Sequence, residues 1–366
     1  MNAVFSSHPL ESRRARLRAE LDHRRLSLLV VTDPLNVFYL TGFRGSAGVA
    51  VLGPSDAVLW VDPRYTLQAQ KDAQNVEVVE ERGALLKAVA RWLRKRKPRR
   101  VGFEGDHLTC SGFRTLEREG HDLLRFESTS GLVEELRSVK DAGEIALIRQ
   151  ASRVTVEAFE ETVRGIRPGV TECDLAAEIE HRMRQKGAEG AAFETIVASG
   201  HRSAYPHARA SSKVLGESEL VIFDLGAILA GYAADMTRTV YLGRPSGRMV
   251  KLYRAVREAQ QRAVEALWPG VKGCEVDSAA RRALERRGLA QYFTHSTGHG
   301  VGLNIHEKPR LARTERKRLK AGSVVTAEPG VYLEGLGGVR LEDTVLVGED
   351  GPEVLTPSPM DRWIIS

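Results

Sequence analysis

Two stretches of this 366-residue chain align without a gap at an offset of 101 residues. RGIRPGVTECDLAAEIEHRMRQKG begins at Arg164, and EALWPGVKGCEVDSAARRALERRG begins at Glu265. Pro168 falls on Pro269, Gly169 on Gly270, Val170 on Val271, Cys173 on Cys274 and Gly187 on Gly288. Each copy reads as a turn, a helix N-terminus, an amphipathic helix and a glycine at the C-terminal cap. A histidine-containing segment and then two strand-like runs follow each helix. The period is too long for a solenoid. It predicts two similar halves that face each other with a site between them.

The first part of the chain has a different pattern. LSLLVVT, AGVAVLG, AVLWVD and RRVGFEG read as short buried strands, and RRARLRAELDHR, RYTLQAQKDA and RGALLKAVARWLRKR read as helices. Such alternation predicts an α/β layer domain. A long helical stretch is expected from about Leu132 to Gly165, which puts the domain boundary near residue 130. The domains expected are therefore 1–130 and 131–366.

Composition excludes several classes. No apolar run is long enough to span a bilayer, and no apolar stretch of signal-peptide length follows the N-terminus, so a cytoplasmic location is expected. The three cysteines, Cys110, Cys173 and Cys274, are widely separated, which fits a reducing compartment and no cysteine metal site. The net charge of +6 raises the question of nucleic acid. Arginine is spread over the whole chain, however. Its densest run, Arg91 to Arg100, closes an apolar helical pattern, where cations sit well against the helix dipole. No nucleic-acid or membrane partner is expected.

The chemistry concentrates in two acidic hairpins. In ELVIFDLGAILAGYAADMTRTVYLG, folding about Leu229 and Ala230 sets Asp224 roughly opposite Asp235. In SVVTAEPGVYLEGLGGVRLEDTVLV, Glu328 and Glu342 flank the glycine-rich EGLGG. Ordinary surface acids would explain four carboxylates, but Asp224 follows the apolar LVIF and Glu328 follows SVVTA, and both contexts read as interior. Like charges opposed on a sheet repel, and burying them costs more. A chain that does this twice calls for cations. Four inward carboxylates and one imidazole suit two divalent ions.

The imidazole is sought in HSTGHGVGLNIHE, which holds His295, His299 and His306. Glycines 298, 300 and 302 forbid a stable helical metal motif there. An extended glycine-rich segment instead lets backbone and ring approach a ligand closely.

At these residues the chain resembles the pita-bread metallopeptidases, and within them the Xaa-Pro peptidases, prolidase and aminopeptidase P. The family's five ligands match Asp224 in FDLGA, Asp235 in ADMTRT, His299 in TGHGVGL, Glu328 in TAEPG and Glu342 in RLEDT. ASGHRSAYPHA is similar to the segment upstream of the first Asp, and YLTGFRGSAGVAVL and WVDPRYTLQA resemble the family's N-terminal domain. The resemblance implies a creatinase-like N-terminal α/β domain followed by a pita-bread α+β domain with an internal two-fold pseudo-repeat.

It implies roles as well. His207 and His306 would be catalytic histidines near the scissile bond, and His295 would stand at the mouth of the site as a substrate-binding residue. Glu328, besides being a ligand, would pass the proton of the attacking water to the leaving amine. Arg340 would brace the ligand carboxylates. Arg310 would grip the C-terminal carboxylate of a dipeptide, a planar task that suits arginine. The cofactor implied is two divalent metal ions, manganese ahead of cobalt or zinc. The partners implied are proline-containing dipeptides or short peptides and a second copy of the chain in a homodimer. Prolidase is the reading carried forward. Aminopeptidase P on longer peptides is the alternative, and an inactive pita-bread binding protein is the remote one, since such proteins usually lose ligands that this chain keeps.

Overall fold

The computed structural model describes residues 7–120 and 124–365. The chain folds as two compact units that divide between Arg137 and Ser138. The division falls where the long expected helix is broken. Leu132–Arg137 and Ala142–Val163 are separate helices. The second restarts at Asp141, whose side chain accepts the Glu144 N–H while Glu144 accepts the Asp141 N–H, a reciprocal cap that sets a new helix start.

The first unit is built on a six-stranded mixed sheet, in the order Glu77–Glu80, Ala57–Val61, Gly48–Leu52, Leu28–Val31, Val101–Glu104, Phe126–Thr129. The four strands expected from apolar runs are its centre. The two edge strands, EVVE and FEST, are too polar to stand out by hydrophobicity. In the arginine run, the helix Leu85–Arg96 ends at Lys97 in the left-handed conformation. Arg91, Arg96 and Arg100 pair there with Glu81, Asp56 and Glu127 of the same unit.

The second unit contains the repeat as structure. Helices Ala142–Val163 and Glu172–Gln185 in the first half correspond to Gly247–Glu265 and Gly273–Glu285 in the second. Gly169 and Gly270 take φ of 95° and 87°, and Gly187 and Gly288 take 94° and 68°. The left-handed angle at Gly187 and Gly288 fits the C-terminal cap expected there. Each helix pair covers its own strands and its own core. One core joins Phe159, Ile179 and Met183 to Val197, Phe223 and Val240. The other joins Val256, Val276 and Leu284 to Val325, Val339 and Val345. No helix among the described residues is long and apolar enough to cross a membrane.

The hairpins carry the site. In the first, Leu229 pairs with Tyr232, so the turn is Ala230–Gly231, both with positive φ (49° and 86°). This is one residue later than expected. Asp224 therefore faces Thr237 rather than Asp235. Because strand side chains alternate with period two, the register moves by two and both acids keep the same face, as diagonal neighbours. In the second hairpin, the ladder of Gly330–Leu333 with Gly337–Arg340 and that of Val324–Ala327 with Asp343–Gly348 share one register, with a break between them. Glu328 and Glu342 stand in that break. Their N–H groups face outward and donate to Thr297 O at 2.8 Å and Thr237 O at 3.0 Å. The second of these bonds joins one half to the other.

One buried acid anchors the loop of the first half. Glu172 is fully buried. Its carboxylate accepts from the Ser199 N–H (2.8 Å) and hydroxyl (2.9 Å), from Arg202 Nε (3.0 Å), and from the Ser211 N–H (3.1 Å) and hydroxyl (2.6 Å). Glu172→Ala would strand these donors, and is expected to cost about 3 kcal/mol or more. Urea unfolding measures this, and an unchanged midpoint would refute the anchoring role.

Candidate metal centre

Five side chains from five strand segments converge in the second unit. Asp224 closes the strand Glu219–Leu225, and Asp235 leads into Met236–Leu242. Glu328 and Glu342 enter from the hairpin break. His299 sits in the short strand Gly298–Gly300. The glycines there are required by packing: a Cβ on Gly298 would lie 2.0 Å from Thr326 O, and one on Gly300 2.2 Å from Lys308 O. Side chains at these positions would force the strand that carries His299 away from its neighbours.

His299 Nε2 lies 3.4 Å from Glu328 Oε1 and 3.6 Å from Asp235 Oδ2. Asp235, His299 and Glu342 each offer a ligand atom within 4.8 Å of the others. The imidazole tautomer follows from its other nitrogen. Nδ1 is 3.1 Å from Gly300 O, which can only accept, so Nδ1 carries the proton and Nε2 turns a lone pair toward two carboxylates. Burial, then the nearby His306, lowers the His299 pKa to about 4, so the ring is neutral and does not offset their charge.

The acids are correspondingly strained. Burial first, then Glu342, Asp224 and Glu328, pushes Asp235 well above the usual carboxylate range. Burial, then Glu328 and Asp224, does the same to Glu342. Burial raises Glu328 to about 8, against the pull of Arg340. Asp224 Oδ2 accepts from Arg340 at 2.6 Å, but its Oδ1 is buried with no hydrogen-bond partner among the described residues. An orphaned carboxylate oxygen, a lone pair and crowded acids make up an oxygen-rich donor set with one imidazole, which fits divalent cations.

Arg340 is hydrogen-bonded into this set. Besides Asp224, it donates to Tyr332 Oη (2.9 Å), Pro206 O (3.0 Å) and Thr237 Oγ1 (3.2 Å). Thr237 in turn donates to Glu342 Oε2 at 2.6 Å. Thr237 and Tyr332 were not singled out from the sequence. The signal was present, because Thr237 is two residues past Asp235 and Tyr332 four past Glu328, same-face spacings on a strand.

The histidines divide by environment. The His306 ring is exposed and packs edge-on against His299, with centroids 4.2 Å apart. His207 is exposed and lies near enough to oppose protonation of both His295 and His306. Both nitrogens of His295 are engaged: Nδ1 donates to Ser296 O at 2.8 Å, and Nε2 meets Tyr332 Oη at 2.9 Å. Burial, then Arg340, lowers its pKa to about 4. Arg310 is exposed and is the cross-strand partner of His299, so the two share a face.

Known proteins resemble this chain over nearly its whole length. The profile of metallopeptidase family M24 matches residues 146–349, and that of the creatinase/prolidase N-terminal domain matches residues 13–139. The structure of a Xaa-Pro dipeptidase from Bacillus anthracis superposes with a TM-score of 0.94 at 40% identity, covering 97% of this chain and 100% of that one. The X-Pro aminopeptidase from Thermotoga maritima superposes with a TM-score of 0.89 at 36% identity, covering 96% and 99%. The Xaa-Pro dipeptidase of Pyrococcus furiosus is 36% identical over 95% of this chain and 98% of its own.

The raised carboxyls make the metal-free protein sensitive to pH. The folded state holds protons that the unfolded state releases, so their contribution is fully present below the ordinary value of 4.5 and is lost as pH rises through about 8. The melting temperature of chelator-stripped protein is therefore expected to fall from about pH 5 to about pH 8. Added Mn2+ should abolish that fall, and a flat metal-free profile would contradict the burial of these acids.

Proposed function

The chain belongs to metallopeptidase family M24, with a creatinase/prolidase N-terminal domain ahead of the peptidase domain, and from this we propose that it is a Xaa-Pro dipeptidase cleaving the peptide bond before proline. Divalent metal dependence follows from the family. We assign two ions to Asp224, Asp235, His299, Glu328 and Glu342, with manganese as the working metal. When bound, such ions lower the pKa of water and polarise the scissile carbonyl.

The chain's own groups do the rest. Glu328 takes the proton of the attacking water on its carboxylate and delivers it to the proline nitrogen as the bond breaks. His306, against His299, and His207 donate to the oxygen that gains charge and hold the proline side of the substrate. Arg340 keeps Asp224 aimed through its hydrogen bond to Oδ2. The amide before proline has no N–H, so backbone pairing at that bond is unavailable to the enzyme. Recognition falls instead to the side chains around it, His207, His295 and His306.

The observation that carries dipeptidase over aminopeptidase is the register of Arg310 with His299. An exposed guanidinium on the face of the metal centre suits a bidentate grip on the free carboxylate of a dipeptide. Likeness to the Thermotoga maritima X-Pro aminopeptidase favours the second reading, in which longer Xaa-Pro peptides are trimmed and Arg310 is bystander to the substrate. The proposed protein is a cytoplasmic homodimer. Three free cysteines with no disulfide among the described residues support a reducing compartment.

Hydrolysis of a Xaa-Pro dipeptide beside a Xaa-Pro-Xaa tripeptide, with Mn2+ and with chelator, tests the proposal. Cleavage of the dipeptide alone, lost with chelator, is expected; preference for the tripeptide would establish the second reading. Arg310→Ala should raise KM for the dipeptide about tenfold or more. Asp224→Asn and Glu342→Gln should lose bound metal and activity together, and full activity in either would overturn the ligand assignment.

A further inference from the structure

Asp277 lies outside the ligand set, on the helix Gly273–Glu285, and is almost fully buried. We infer that it is a positioning residue for the metal centre, acting through Thr297 on His299 and Glu328; the inference rests on the metallopeptidase reading above.

The contacts form a short chain. Asp277 Oδ1 accepts from the Thr297 hydroxyl at 2.9 Å and its N–H at 3.2 Å. The same N–H is shared with Leu311 O at 2.9 Å. Thr297 is fully buried, and its carbonyl accepts the Glu328 N–H at 2.8 Å. Two residues on, the His299 N–H donates to Thr326 Oγ1 at 3.1 Å, and Thr326 Oγ1 donates to Glu328 Oε1 at 3.3 Å. A shift of Thr297 therefore reaches one ligand through a direct backbone bond and the other through two residues of the same chain segment.

Asp277 is itself held. Arg281, one turn on, donates Nε to Oδ2 at 2.7 Å and a second nitrogen to Oδ1 at 3.1 Å. Arg281 also reaches Phe293 O at 2.8 Å and His295 O, and lies 4.1 Å over the Phe293 ring. The guanidinium thus ties the segment that leads into His299 back to the helix. A buried ion pair of this kind adds little stability over apolar packing. What it supplies is a fixed oxygen at the Thr297 N–H and hydroxyl.

The other half of the repeat contains the same device. There Glu172 accepts both the N–H and the hydroxyl of Ser199. At the 101-residue offset Glu172 corresponds to Gly273, where a Cβ would lie 2.2 Å from Arg310 O. No side chain fits at that point. The acid comes instead from Asp277, four residues on and on the same helix face. The arrangement recurs although the residue that makes it has moved.

Calorimetric titration of chelator-stripped protein with Mn2+, alongside the metal-free melting temperature, tests this on wild type, Asp277→Asn, Thr297→Val and Thr297→Ser. Asp277→Asn should raise the apparent Mn2+ dissociation constant about tenfold or more, the usual effect of losing a partner behind the ligands. Thr297→Val, which keeps the shape without the hydroxyl, should raise it about fivefold, the worth of one hydrogen bond. Thr297→Ser should bind as wild type. If Asp277→Asn lowers the metal-free melting temperature but binds Mn2+ as wild type does, the role is structural and the inference falls. Should Asp277→Asn not fold, equal binding by the valine and serine variants overturns it. Wild type that takes up no Mn2+ would overturn the metal centre, and the inference with it, whereas tight wild-type binding matched by the variants overturns the inference alone.

Discussion

The repulsion among buried carboxylates organises the second unit. Asp235 and Glu342 are almost completely buried, Glu328 is partly buried, and Asp224 joins them with one oxygen unpartnered among the described residues. The fixed cation among them is Arg340, which spends one arm on Asp224 and others on Tyr332, Pro206 and Thr237. His299 adds no charge, because its environment keeps it neutral. Acids placed this way raise the free energy of the bare protein unless they are protonated or matched by cations. The surrounding structure holds the groups in place against that cost.

The repeat explains how one chain assembles such a site. Each half brings a helix pair, a core and a hairpin with two acids, and the cluster Asp235, His299 and Glu342 draws on both halves. The halves are stitched where the second hairpin breaks. There the Glu342 N–H turns to Thr237 O in the first hairpin, and Thr237 returns a hydrogen bond to the Glu342 carboxylate.

Much of the site could be read from residue types and spacing. The paired helices, the positive-φ glycines and the interior placement of Asp224 and Glu328 all follow from local pattern. The resemblance of FDLGA, ADMTRT, TGHGVGL, TAEPG and RLEDT to metallopeptidase motifs named the residues that the fold then gathers. The register of Asp224 was misjudged by two because the turn centre was placed one residue early. The face survived because a shift of two is invisible to a period of two. The broken helix at 138–141 was missed because its apolar spacing continues across a break that only the Asp141 cap reveals.

The sequence by itself determined which residues are acids, where chain direction must reverse, and that two halves share one plan, because these depend on residue type and short-range periodicity. The tertiary structure decided which hydrogen-bond partner each acid takes. Thr237 under Glu342, Tyr332 between Arg340 and His295, and Thr297 between Asp277 and Glu328 are pairings across 8 to 105 residues. No local rule specifies them. They arise from the register and packing of strands from both halves, and a hydrogen bond is sensitive to placement at the scale of tenths of an ångström, which only the folded chain sets.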